Sequence, residues 1–521
     1  MTDQVVNSQH NLEKESIDHD SSINEVTQEK LEAQGFDETS QLRLTPEEQK
    51  IRISELAEKY GVNERKLMLK CDLRIVPAIC LLYLLAFLDR VNISNANVYG
   101  LATDLNLRGH EYNTALTIFF VPYIVSEIPS NYLLKKFKPH VWLTICMVLF
   151  GCVTIAQGFV RNFGGLVVTR FFLGLCEAGM FPGCFYLLSM WYRREEAQKR
   201  YSFFFSSTCL AGAFSGLIAA GIWRLDGKRG LEGWRWIFII EGAVTVFCAL
   251  LMFFCVSDFP EDASYLEENE RLFIKEKLAL DVGDSSHDVK ITFKGILRVF
   301  KEWKIWFSGL MYFCLIIPAY GYAYFAAAIV KSLGHSPLKT QFYSVPPWVV
   351  AFGLSMIMAV FSDRLRHRFS FSFVCCLIAA AGFIMLLANK TNVHVRYAGL
   401  FLAASGLYTA MPILVCWTNM NFSGHHRKAI STAWQVSFGN IGGIIATFSF
   451  LAKDAPHYIK GVSIGLAFSL LAGILMIGYL LGLMYDNKKK RTPEAIAKWE
   501  NLSPEEKRTA GDLSPYFFYD Y

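Results

Sequence analysis

The chain has 521 residues, of which 53% are hydrophobic, 15% aromatic and only 19% charged, with a formal net charge of +5. Together with a mean hydropathy of +0.29, this excludes a soluble multidomain enzyme, whose surface would demand far more charge at this length. The charges lie at the termini, in one central stretch and in short loops, so no basic face suggests a nucleic-acid partner.

Residues 1–65 read as an acidic, disordered tail; Met1 to about Gln49 is rich in Ser, Asn and Gln. No cleavable signal peptide is expected, because the chain starts on a polar segment. Beyond the tail, apolar windows of about 19 residues recur about twelve times, each long enough to cross about 30 Å of hydrocarbon. A first group of six, within residues 66–257, begins near Leu73, Tyr112, Val141, Gly164, Tyr201 and Trp234. Residues 258–303 form a polar linker, with an amphipathic helix predicted around Tyr265 to Ala279. The second group, within residues 304–486, begins near Ile305, Thr340, Ser370, His394, Ala429 and Val462, and residues 487–521 form a second tail. The expected fold is all-α and polytopic: twelve transmembrane helices in two six-helix halves, the parallel-repeat design of one transporter class.

Basic residues mark one side of this arrangement. Arg65, Lys66, Lys70 and Arg74 precede the first span, Lys135, Lys136 and Lys138 follow the second, and Arg193, Arg194 and Lys199 follow the fourth. Arg364, Arg366 and Arg368 follow the eighth, Arg427 and Lys428 the tenth, and Lys488, Lys489 and Lys490 the twelfth. All share one side if each span reverses direction, and the positive-inside rule makes that side cytoplasmic, with both termini. The loop between spans five and six, with Arg224, Lys228, Arg229 and Arg235, runs against the rule. The 13 cysteines are scattered and include no Cys-x-x-Cys, so neither a disulfide framework nor a metal site is expected, and no cofactor.

Charges inside the spans carry the functional argument. Asp89 and Arg90 sit in the apolar stretch Leu73 to Ala96, and Glu127, Arg170, Glu177 and Glu241 lie in others. Each such charge costs about 2.5–3.5 kcal/mol even on insertion scales, so it faces the bundle interior and marks a substrate or ion path. Arg90 is always cationic and can grip a carboxylate through two parallel hydrogen bonds, which suits an anionic substrate. The alternative is that it only neutralises Asp89, although neighbours on a helix point about 100° apart. Glu177 lies seven residues after Arg170, on the same helical face. A midplane carboxyl that gains and loses a cationic partner can exchange a proton, unless it is simply satisfied by backbone or by Arg170. Tyr123, Glu127 and Asn131 recur at four-residue spacing in span two; Glu127, toward the lysine-bearing end, reads as an inner gate or latch. Tyr320, Tyr322 and Trp434 are aromatic candidates for stacking on a flat ring, or else packing residues.

Several motifs extend the reading. The loop Ser362-Asp363-Arg364-Leu365-Arg366-His367-Arg368 after the eighth span resembles the Asp-Arg-x-Gly-Arg-Arg loop of the major facilitator superfamily. The resemblance implies a latch role for Asp363, Arg364 and Arg366; the first-half counterpart, Asn131 to Phe137, keeps bases but lacks the Asp and Gly. Leu88-Asp89-Arg90-Val91-Asn92-Ile93-Ser94-Asn95-Ala96, Arg170 to Pro182 and Gly233-Trp234-Arg235-Trp236 resemble the anion:cation symporter family within that superfamily, over about Lys66 to Lys490. Ala452 to Ile464 and the Tyr-rich chain end are similar to fungal nicotinic acid permeases. This resemblance implies import of a small organic anion with protons, with Arg90 and Glu177 in that work; the expected site, in a plasma-membrane importer, is Arg90, Asn92, Tyr123, Tyr320 and Trp434 for substrate and Glu177 and Asp89 for protons. It implies no enzyme activity, and a monomer in the lipid bilayer. Nicotinate leads; allantoate, pantothenate, biotin or cysteine are alternatives, as is a nutrient sensor with the same fold. Whether one proton or two accompany each substrate stays open.

Overall fold

The computed structural model describes residues 46–256, 258–282, 297, 299–334, 336–365, 367–389, 392–422, 425–501, 511–515 and 517–521. Residues 1–45, most of the expected acidic tail, and residues 283–296 of the linker lie outside the described residues. The chain divides into two units, Met1–Arg52 and Ile53–Tyr521. What is described of the first is the start of a helix, α1 (Pro46–Tyr60). The expectation of disorder as far as residue 65 is corrected here. α1 runs to Tyr60, where Lys59 and Tyr60 bond Glu276 at 3.2 Å and 2.6 Å, and α2 already starts at Glu64.

The first six-span half begins with α2 (Glu64–Val98), whose N-terminus is capped by Asn63 accepting from the Lys66 amide at 3.1 Å. Span two is broken into α3 (Glu111–Thr117) and α4 (Phe120–Lys136); α5 (Pro139–Gln157) follows. Span four is also in two pieces, α6 (Phe163–Glu177) and α7 (Met180–Trp191), before α8 (Arg194–Ile222) and α9 (Gly233–Cys255). The linker contributes α10 (Glu268–Val282). The second half comprises α11 (Trp303–Lys331), α12 (Pro337–Leu365), α13 (Arg368–Ala388), α14 (Val393–Met420), α15 (His425–Ser449) and α16 (Ile459–Lys490), followed by the short α17 (Pro493–Glu500). No strand occurs among the described residues.

Ten helical segments among the described residues are long and apolar enough to cross a bilayer. The α3–α4 pair and α15 complete the twelve. α4 alone has 17 residues, and α15 carries Arg427, Lys428, Gln435 and Asn440, which lower its apolar character. Both pack in the bundle centre, where neighbouring helices can satisfy polar groups that lipid cannot.

Burial runs opposite to that of a soluble protein. On α4, Val125 is 70% exposed whereas Glu127 is 0% exposed; Phe254 and Ile474 likewise face outward. Tyr123, Glu127 and Leu134 are buried on the inward side of the same helix. Small residues bring backbones together: a Cβ on Gly151 of α5 would lie 3.2 Å from the Gly242 carbonyl oxygen, and one on Gly242 of α9 would lie 2.8 Å from that of Gly151.

The halves repeat one plan. α2 packs on α8 as α11 packs on α15, and α5 on α9 as α13 on α16. Between halves, α2 meets α11, α4 meets α15, and α8 meets α12. Exchanging the halves maps the α4–α15 contact onto α12–α8 and the α2–α11 contact onto itself, as a pseudo-twofold axis requires.

At the end carrying the tails, each half has its own brace. α10 holds the first half: Lys277 pairs with Glu64 at 2.8 Å and Glu196 at 2.7 Å, and Lys70 with Glu270 at 2.7 Å. The segment 511–521 holds the second. Asp512, fully buried, bridges Lys304 at 2.5 Å and Arg427 at 2.7 Å, while the Asn487 side chain and the Trp417 indole reach the Tyr519 and Asp520 carbonyls at 3.0 Å and 2.9 Å.

Candidate functional site

Arg90 lies on the inward face of α2, 2% exposed, where the two halves meet. Its Nε donates to Glu177 Oε1 at 3.0 Å, and its Nη2 bonds the same oxygen. Its Nη1 donates to the Tyr320 hydroxyl, which in turn donates to Asn440 Oδ1 at 3.2 Å. The guanidinium sits over the rings of Phe119 and Tyr123, each at 5.1 Å, and Tyr320 at 5.7 Å. A cation caged by ring faces gains a further favourable electrostatic contact where water is excluded. Arg90 from α2, Glu177 from α6, Tyr123 from α4, Tyr320 from α11 and Asn440 from α15 thus converge, and the last two belong to the second half.

This geometry answers two questions left open above. Arg90 bonds Glu177, and Asp89 turns instead toward α9, where Thr245 donates to its Oδ2 at 3.0 Å. Nor does Glu177 bond Arg170: Arg170 Nη1 donates to the backbone carbonyl of Arg90 at 3.2 Å. The Arg170 Nε and Nη2, like Glu177 Oε2, are buried without a hydrogen-bond partner.

The remaining sequence candidates fall in different places. Tyr123 and Tyr320 belong to the cage. Asn92 points away from it, donating through Nδ2 to Glu241 of α9. Glu127 is buried on α4 with the Ser437 hydroxyl of α15 facing it. Trp434 stands apart, packed on Phe300, Trp306 and Phe438 with ring centroids 4.9–5.1 Å away. Tyr322 packs on Trp348 at 5.2 Å. Arg364 is exposed at the end of α12. Arg366 and the side chains of Asp363 and Asn131 lie outside the described residues. Sequence reasoning missed Thr245, Asn440 and Ser437, neutral polar residues whose only signal is their presence on apolar helices.

A crevice between the halves opens beyond Arg90, lined by Val91, Ser94 and Asn95 of α2, Ser215 of α8, Ala327 of α11 and Trp348 of α12. Beyond it, on the face opposite the tails, the halves are tied together. Ser94 donates to the Tyr324 carbonyl at 2.6 Å and Lys331 to that of Val98 at 3.2 Å. Asn113 donates to the Thr447 carbonyl at 2.5 Å, and the Thr117 and Thr447 hydroxyls are 2.6 Å apart. No group of side chains suited to hold a metal ion occurs among the described residues.

Two matched helical halves meeting at a buried, ring-caged cation are the plan of a transporter. Residues 79–447 match the family profile of the Major Facilitator Superfamily, and the chain belongs to that superfamily. It is a transporter and not an enzyme. Among its relatives, an uncharacterized transporter of Schizosaccharomyces pombe is 34% identical over 464 residues, covering 88% of this chain and 93% of the relative. The high-affinity nicotinic acid transporter of Saccharomyces cerevisiae is 30% identical over 461 residues, covering 88% of this chain and 85% of the relative. The fold is shared with the proton:xylose symporter XylE, at a TM-score of 0.63 and 14% identity over 77% of this chain and 95% of that one. A bacterial homologue of the lysosomal transporter Spinster gives a TM-score of 0.59 at 16% identity over 78% of this chain and 95% of that one.

Proposed function

We propose that the chain imports a small organic monoanion together with protons across the plasma membrane, with nicotinate as the substrate. The observation that carries this reading is the Arg90 guanidinium, buried between the halves under three aromatic rings and bonded to one oxygen of Glu177. A flat aromatic carboxylate complements both features: its charged end replaces Glu177 at the guanidinium, and its ring lies among the rings of Phe119, Tyr123 and Tyr320. The similarity to a nicotinic acid transporter supports the substrate.

Coupling follows from competition for Arg90. While Glu177 pairs with Arg90 it is held as the carboxylate. Substrate that takes over the guanidinium leaves Glu177 buried and unpaired, a costly charge that a proton removes. The loaded site is then neutral and can cross between its two openings. On release the proton leaves, and Glu177 returns to Arg90. The lysine- and arginine-rich loops on the tail-bearing side support a cytoplasmic placement of that side.

The test is uptake of radiolabelled nicotinate, with and without a protonophore, in cells that express this chain and lack their own permease. Uptake that a protonophore abolishes is the expected result. Absence of uptake with the protein at the surface rejects nicotinate, and uptake indifferent to the protonophore rejects the coupling.

A further inference from the structure

The competition between Glu177 and substrate uses one carboxyl, yet the bundle buries more. Around Arg90 lie four buried carboxyl groups, Asp89, Glu127, Glu177 and Glu241, and two buried guanidinium groups, Arg90 and Arg170. Among the described residues of this cluster the carboxyls therefore outnumber the cations by two, and an unpaired charge in a dry bundle is costly.

The carboxyls differ in what holds them. Asp89 accepts from Thr245 and Glu241 from Asn92, both within the first half, so those bonds travel with that half as a body. Glu127 is different. It is 0% exposed, and neither of its oxygens accepts a hydrogen bond. The group opposite it, the Ser437 hydroxyl, belongs to the second half and faces it across the seam. The charged and titratable groups around it are Arg90 of α2, Tyr123 of its own helix, and Tyr312 and Tyr320 of α11. Arg90 already donates to Glu177 and Tyr320.

Location gives the unpartnered carboxyl a use. α4 and α15 form one of the contacts between halves, and such contacts part when the site opens to the other side. Glu127 would then exchange a dry seam for water, the change of surroundings that lets a carboxyl bind a proton in one state and release it in the other.

We propose that Glu127 is a second proton carrier, protonated in the seam between α4 and α15 and emptied when that seam opens, so that two protons accompany each monoanion. This rests on the proposed function, with Glu177 as the first carrier. The proton binds a carboxylate oxygen of Glu127 on one side of the membrane and leaves from it on the other. No covalent bond of the substrate changes. Net movement of one positive charge per cycle makes accumulation voltage-driven, by roughly fifty-fold per 100 mV, the equivalent of about 2.3 kcal/mol.

The experiment uses the purified full chain in liposomes loaded to impose either a pH gradient at zero potential or an inside-negative potential of about 100 mV at equal pH, with radiolabelled nicotinate outside. The wild type is expected to accumulate nicotinate under either force. Glu127→Gln is expected to keep gradient-driven uptake and counterflow and to lose the response to voltage. An inner latch would instead change counterflow and uptake alike. Wild-type uptake under the pH gradient with no response to voltage overturns the second carrier while leaving the proposed function intact. A voltage response that survives in Glu127→Gln also overturns it. No nicotinate uptake under any gradient rejects the proposed function itself. Should Glu127→Gln fail even in counterflow, Glu127→Asp, which keeps the carboxyl, must retain voltage-driven uptake; loss of it there overturns the assignment.

Discussion

Arg90 and Glu177 meet through a single carboxylate oxygen: both the Nε and the Nη2 of the arginine address Oε1, and Oε2 is left buried without a partner. A fully satisfied guanidinium–carboxylate pair uses two parallel bonds to two oxygens. The pair found here falls short of that arrangement, so a substrate carboxylate able to engage both nitrogens has something to gain by displacing Glu177.

Replacing the guanidinium tests this directly. Arg90→Ala is expected to abolish nicotinate uptake at unchanged surface abundance, and Arg90→Lys to come close to it, because an ammonium keeps the charge but not the fork. Surface biotinylation beside tracer uptake separates loss of function from loss of protein. Wild-type uptake by Arg90→Ala would remove the carboxylate grip.

Glu177→Gln removes the exchangeable proton but keeps the size of the side chain. Accumulation against a gradient is expected to vanish, because the emptied site would hold Arg90 with no carboxylate to balance it and could not return; counterflow exchange survives, since exchange never passes through the empty site. Measuring both in one vesicle preparation decides the matter; intact accumulation sinks the coupling role.

For Tyr320, the ring and the hydroxyl separate cleanly. Tyr320→Phe keeps the ring over Arg90 and deletes the bonds to Arg90 and Asn440. A hydrogen bond to a charged group contributes about 1.5–3 kcal/mol, so KM is expected to rise by about tenfold or more. Tyr320→Ala, which also removes the ring, is expected to raise it further. Equal KM values for Tyr320→Phe and wild type would place the substrate elsewhere.

Asp512 yields a stability prediction. Burial pushes its carboxyl up, but Lys304 and Arg427 outweigh that and hold it at about 2, below the ordinary 3.8. Because the folded value is depressed, the stabilisation is present above about pH 4 and lost as pH falls through about 2; it amounts to about 2 kcal/mol. Asp512→Asn is expected to lower the melting temperature in detergent at pH 7 and to flatten its fall between about pH 4 and pH 2. Identical melting curves would deny the bridge an energetic role.

The fold was legible because a lipid-facing helix must be apolar over about 20 residues, a signal that survives in a single sequence. Spans two and eleven were the faintest: the first is broken at Ile118 and Phe119, and the second carries Asn440 and Gln435 toward the bundle centre. Arg90 and Glu177 stood out because a charge in an apolar run is costly and rare. Their partnership did not, since it joins residues on separate helices. Thr245, Asn440 and Ser437 carry no such mark, as a hydroxyl or amide is tolerated in many helical positions. Trp434 shows the converse: an aromatic side chain on a helix does not announce which neighbour it faces. Asp512 was invisible because the cations that bridge it, Lys304 and Arg427, lie far from it in sequence.

The two braces at the tail-bearing end are anchored to different halves. Among the described residues, the bonds of α10 run to the first half or the segments leading into it, and those of Asp512, Tyr519 and Asp520 to the second. Each therefore behaves as a handle fixed to one jaw of a pair of pliers. A dye on the exposed Lys275 and another on the exposed Leu513 would ride on opposite jaws, turning the gap between two surface points into a direct optical record of each stroke.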